Sequence, residues 1–206
     1  MTHSFDAIAL QGNLQHLDDD RRLAFGVCLF ERSLPGFFQF QIDTGSTGGG
    51  ELRATLAQCW SVLETGFDGA PAFVSTAVCE LVMPDSERYT SAYTSAAIDA
   101  VNIACCLLDF LAKRQLDPLI EAVRSRQDTL DLFIQNSTNL GPPGPSLEER
   151  IASHPLMQQE LGFMHDDLAL LRATVGTREA VWRATLNQVA TREYDRLRLP
   201  QTGTTN

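Results

Sequence analysis

The chain is short of positive charge. Its 206 residues carry 16 Lys and Arg against 26 Asp and Glu, a net charge of −10, and Lys113 is its only lysine. Contact with a phosphate backbone needs clustered cations, so nucleic acid is not an expected partner. The same sign argues against an anionic membrane surface. A single lysine leaves little room for Schiff-base or Ser–Lys chemistry.

A long uninterrupted apolar run is also missing. The richest stretch, Ala96 to Ala112, is broken by Asp99, Asn102 and Asp109. A membrane span asks for roughly 18 consecutive apolar residues or more. Met1 to Leu10 has neither the basic region nor the apolar core of a signal peptide, so the expected location is the cytoplasm.

The five cysteines, Cys28, Cys59, Cys79, Cys105 and Cys106, include no C-x-x-C pair. They predict neither a disulfide framework nor a zinc knuckle. Cys59 falls in the series Leu52, Leu56, Leu63, and Cys105 falls on the face of Val101 and Leu108. Thiols so placed are expected to act as small buried hydrophobes.

Histidine is equally thin. His3, His16, His154 and His165 form no H-E-x-x-H and no Glu-x-x-His motif, so neither a metal nor another cofactor is expected. Glu160, His165, Asp166 and Asp167 lie close together, but Glu160 and His165 are five apart and do not share a helical face. They read as a solvated surface. The arginines from Arg172 to the end read the same way.

What is present is helical periodicity. Leu23, Val27, Phe30 and Leu34 repeat at four, three, four after a cap-like Asp18 to Asp20, and Pro35 is expected to stop that helix. Further stripes are Leu52–Leu56–Cys59–Leu63, Phe73–Ala77–Leu81 with Val74–Val78–Val82, and Ala97–Val101–Ala104–Leu108–Leu111. Later come Leu119–Val123–Leu130–Phe133, Met157–Leu161–Met164–Leu168–Leu171, and Trp182–Leu186–Val189–Leu197. Phe5 to Leu17 predicts a short opening helix. His154-Pro155 reads as a helix entry, with Ser153 as its cap.

Two motifs invite chemistry and fall short of it. Asp43-Thr44-Gly45-Ser46 matches the aspartic-protease signature, and Phe38 to Ile42 alternates as a strand would. That mechanism needs a second carboxylate beside the first, and the chain has no second copy. Gly48-Gly49-Gly50 suggests a phosphate cradle, but Glu51 stands where a P-loop has lysine. Both read as turn chemistry.

The polar residues that interrupt apolar faces are the candidate site: Glu31, Arg32, Asp99, Asn102 and His154. A buried Asp99 needs a partner. Arg32 is the first candidate, in a pair that would fix helix register.

With these segments placed, the chain resembles the YjaG-like bacterial proteins, a domain-of-unknown-function family (number four hundred and sixteen). Four stretches carry the resemblance: Phe25 to Pro35 followed by Phe37, Phe40, Thr44 and Gly45; Gly50 to Arg53 running to Trp60 and Glu64; Ala96 to Ala100; and His154 to Glu160. The resemblance implies one all-helical domain and no assigned catalytic residues. It also implies a short helix, not a strand, at Phe37 to Asp43.

The expected fold is therefore an all-α, single-domain bundle of seven to nine helices over residues 1–199, with a Pro/Gly-rich loop at 141–145 and a flexible tail at 200–206. The expected function is a non-enzymatic adaptor or regulator. Its acidic surface would suit a protein partner, a second copy of the chain included. The alternative is an enzyme or small-ligand binder using Glu31, Arg32, Asp99 and His154 in a helical cleft.

Overall fold

A computed structural model of the chain describes residues 6–69, 74–137 and 145–192. Residues 141–144 of the expected loop 141–145, the tail 200–206, and Phe73 and Leu197 of two apolar stripes lie outside the described residues, whereas Pro145 already begins a helix. Among the described residues the chain is all-α, a single bundle of nine helices with no strand. They are α1 (Ala7–Gln15), α2 (Asp19–Thr44), α3 (Gly49–Thr65), α4 (Thr76–Glu80), α5 (Thr94–Lys113), α6 (Asp117–Ser137), α7 (Pro145–Ala152), α8 (Pro155–Ala173) and α9 (Arg178–Thr191).

Helix α2 begins as its sequence dictates. The Asp18 carboxylate accepts the Arg21 N–H at 2.9 Å and satisfies an amide that has no partner within the helix. Contrary to expectation, the helix does not stop at Pro35 but runs on to Thr44. An internal proline costs about 3 kcal/mol. Beyond it lie Phe37 and Phe40, both essentially inaccessible to solvent. Burying each is worth about 1.5–3 kcal/mol, enough together to offset the break. Phe38 to Ile42 is thus helical, continuous with what precedes it and neither a strand nor a separate short helix.

The Asp43-Thr44-Gly45 motif is simply the end of α2. Gly45 takes the left-handed conformation (φ 68°) and donates its N–H to the Gln41 carbonyl at 2.8 Å. Gly48 then opens α3 at φ 118°, and a Cβ there would come within 2.7 Å of Val82 Cβ. Only glycine fits that position.

Helix α5 is the centre of the bundle and packs on α2, α3, α4 and α6. Its 20 residues are long and apolar enough to cross a membrane by length and composition. Here Ile103, Leu107 and Phe110 are wholly buried in the shared core. Gly26 of α2 makes the closest approach possible. A Cβ there would meet Leu107 Cδ2 at 2.4 Å.

Two apolar stripes bury less than expected. The third forms only the five-residue α4, with Cys79 buried and Leu81 85% exposed. In α9 the buried residues are Val181 and Thr185, whereas Trp182 is half-buried and Leu186 exposed. That helix meets α2 and α3 through the neighbouring face. The stripe on α8, Met157 to Leu171, is buried throughout.

Candidate functional site

The five polar residues singled out in the sequence do not converge. Glu31 and Arg32 leave α2 in different directions. Glu31 Oε1 accepts the Trp60 Nε1–H at 3.0 Å and ties α2 to α3. Burial raises the Glu31 pKa, and the Trp60 bond opposes the rise. His154 caps α8: its Nδ1 accepts the Leu156 N–H at 3.3 Å, so the cap is His154 itself and not Ser153. Pro155 follows at the position where a missing N–H costs nothing.

Asp99 is buried, as expected, but it does not pair with Arg32. Its Oδ2 accepts the Thr129 hydroxyl at 2.6 Å, and Asn102 adds a second hydrogen bond from the next turn of α5. Burial lifts the Asp99 carboxyl to about 6 against the pull of Thr129. Asp99 and Asn102 are the one pair among the five that the fold brings together.

Arg32 finds its partners on α8. Its Nε donates to Glu160 Oε1 at 2.9 Å and its Nη1 to Asp167 Oδ2 at 2.6 Å. Arg126 of α6 donates its Nε to Glu160 Oε2 at 2.9 Å. Arg192, just past α9, places Nη1 2.7 Å from Asp167 Oδ1. Its Nη2 donates to the Phe163 carbonyl at 3.2 Å, and its guanidinium lies 4.6 Å from the Phe163 ring centre. The three arginines and two acids are all buried or nearly so.

Burial alone would raise the Glu160 pKa. Arg126 and Arg32 outweigh it and hold the carboxyl at about 2. The sequence reading of Glu160 and Asp167 as a solvated face is therefore wrong, and so is that of Arg192. His165 and Asp166 are exposed, as expected. All four oxygens of Glu160 and Asp167 face a guanidinium nitrogen. The arrangement clamps α2, α6, α8 and the end of α9 together and offers no carboxylate oxygen for a general base. The sequence did carry a signal. Glu160 and Asp167 are seven apart, two helical turns, which puts both on one side of α8.

Among the described residues, a surface groove of about 660 Å³ lies between α1, α4, α5 and α6. Ile8, 83% exposed, stands at its rim, and Ile120 and Pro118 add apolar wall. Glu80, Asp109, Asp117 and Glu121 line it against only Lys113 and Arg124. Both cations are already engaged: Lys113 Nζ lies 2.9 Å from Asp109 Oδ2, and Arg124 Nη1 lies 3.3 Å from Glu121 Oε2. The wall is net negative. A smaller recess of about 460 Å³ lies beside Gly48 to Gly50. Glu51 sits in the first turn of α3 at that recess, and the Arg53 guanidinium is stacked 4.5 Å from the Phe38 ring centre.

Comparison with known proteins bears on the fold. The model of the family described as "Protein of unknown function (DUF416)" matches residues 9–191. No curated protein matches the chain. The crystal structure of a DUF416 family protein from Shewanella baltica OS155 is similar with a TM-score of 0.74 at 17% identity, over 87% of this chain and 93% of that one. At that identity the likeness is one of fold. The helical architecture and a family match spanning nearly the whole chain agree: the chain belongs to the DUF416 family.

Proposed function

We propose that this protein is a cytoplasmic, non-enzymatic adaptor that holds a basic amphipathic segment of a partner protein in the acidic groove. The carrying observation is the groove's composition. An exposed isoleucine and the apolar wall of Pro118 and Ile120 are framed by four carboxylates and two already-paired cations. A helix with leucines on one face and lysines on its flanks matches that pattern in both charge and apolarity. The net charge of −10 favours the same partner at long range. The cleft enzyme has less support, because Glu31, Arg32, Asp99 and His154 are each engaged with separate neighbours.

The test is fluorescence anisotropy with a labelled synthetic Leu/Lys amphipathic helix. The wild-type protein should bind it, and the double variant Glu80→Lys/Glu121→Lys should bind at least about tenfold more weakly. A control of equal charge change on α7, Glu148→Lys/Glu149→Lys, should lose far less. Equal losses in the two variants would mean diffuse attraction to an acidic protein and would end the groove proposal.

A further inference from the structure

Helix α9 is held by its two ends more than by its face. Of its 14 residues only Val181 and Thr185 are buried, yet it packs on α2, α3 and α8. At its start Arg178 donates Nε to the two Asp20 oxygens, at 3.1 and 3.2 Å. The same guanidinium lies across Gly66 at the end of α3, where any side chain would collide with Nη1. Just past the other end stands Arg192, with its contacts to Asp167 and Phe163.

The connection from α8 has a fixed part and a free part. Arg21 of α2 fixes the end of α8: its Nε donates to the Leu171 carbonyl at 3.1 Å and its Nη2 to the Thr174 carbonyl at 2.6 Å. Val175, 88% exposed, and Gly176, at φ 117°, come next, and α9 starts two residues later.

We infer that α9 is a strap that opens as one unit about Val175–Thr177, with Arg192 as its latch. The groove lies between α1, α4, α5 and α6, so this stands whether or not the groove holds a protein partner.

The charge count shows why the latch can let go. Among the described residues the clamp sets three guanidiniums against two carboxylates. Arg32 bonds both acids, and Arg126 bonds Glu160. Those two cations already match the two anions. Arg192 is the third, and its hold is the least directed. Its Nη1 lies 2.7 Å from Asp167 Oδ1 without forming an aligned hydrogen bond.

Breaking a buried ion pair is costly when it strands an unpaired charge in the interior. Withdrawing Arg192 strands none. Asp167 keeps Arg32, and the freed guanidinium moves into water. Gln188 of α9, whose Nε2 reaches Asp167 Oδ1 at 3.4 Å, leaves with the helix, and that oxygen then meets solvent. The Arg178–Asp20 pair sits beside the turning point and need not break. What still resists opening is the burial of Val181 and part of Trp182. Elements with so little buried apolar surface are the ones that open below the global unfolding free energy. Opening uncovers the faces of α2, α3 and α8 beneath α9 and leaves the Arg126–Glu160–Arg32–Asp167 chain standing.

The experiment is native-state amide exchange, read by NMR on the full-length protein at neutral pH, with and without Arg192→Gln. In wild type the amides of Trp182 to Thr191 should share one protection, lower than that of α8 and of Leu23 to Leu34. Arg192→Gln should speed that whole block by at least about tenfold and leave α6 and α8 within about twofold. Arg183→Gln should change nothing, because that guanidinium is exposed and bonded to Glu179 of the same helix. Equal protection of α9 and α8 in wild type would overturn the inference. So would protection graded from Thr191 inward, or an acceleration confined to Gln188 to Thr191, since both are ordinary fraying. An acceleration shared by α6 and α8, or matched by Arg183→Gln, would overturn it too. The wild-type profile decides the matter alone if the variant fails to fold.

Discussion

Helix α6 serves two buried carboxylates from adjacent turns and treats them differently. Arg126 gives Glu160 a guanidinium, in company with Arg32. Thr129 gives Asp99 a hydroxyl. Both acids are withdrawn from water, and burial pushes the pKa of each upward. Glu160 nevertheless sits at about 2 and Asp99 at about 6. The lesson is that burial does not decide whether an interior carboxylate is charged. The charge of its partner does.

The largest effect should come from removing the shared cation. Arg32→Met leaves Glu160 and Asp167 in the interior with fewer counter-charges, a loss of about 3–5 kcal/mol in urea denaturation at neutral pH. Near-neutral behaviour would show that Arg126 and Arg192 suffice and would break the comparison.

Next is the acid limb of stability. The folded Glu160 pKa is depressed, so its contribution is complete above the ordinary carboxylate range near 4.5 and is lost as pH falls toward 2. That loss should reach about 3 kcal/mol. Denaturation curves for Glu160→Gln should be flatter than wild type across this window.

Asp99 carries the opposite sign. Its folded pKa is raised, so the folded state binds the extra proton between about 4 and 6, and stability falls as pH rises through that window. Asp99→Asn keeps an acceptor for Thr129 and sheds the charge. It should gain about 1–2 kcal/mol at pH 7.5 and nothing at pH 3.5. Carbon-detected NMR titration of Asp99 should find its midpoint near 6.

The smallest effect sharpens the contrast. Thr129→Val removes the one hydroxyl that favours the Asp99 carboxylate, at a cost of about 1 kcal/mol at neutral pH. The same titration should then show the Asp99 midpoint moving further up. An unchanged midpoint would mean that Asn102 supports the carboxylate instead.

The helices were legible because their apolar stripes repeat at three and four, and Asp18 announces a helix start. The extent of α2 was not. The rule that proline ends a helix is local, and what overrides it is the burial of Phe37 and Phe40 against elements far away in sequence. The site was legible in part. Asp99 reads as a buried acid because it breaks an apolar helix. Its partner could not be read, since Thr129 is thirty residues away on α6. The pairing of Arg32 with Glu160 and Asp167 spans 128 and 135 residues. Only the seven-residue spacing of the two acids pointed to it.

Pro35 has a kinetic consequence as well. It has no N–H to offer the Glu31 carbonyl, so the hydrogen-bond ladder of α2 lacks a rung one turn from the Arg32 clamp. On one side the helix is anchored to α8 through Arg32. On the other it is held by rings, among them Phe40 edge-on to Tyr89 at 5.0 Å. A helix interrupted in this way has a built-in seam for partial opening. In deuterium exchange followed by mass spectrometry, amides after Pro35 should take up label before those of Leu23 to Leu34. The 26-residue helix would then behave as two cooperative pieces laid end to end.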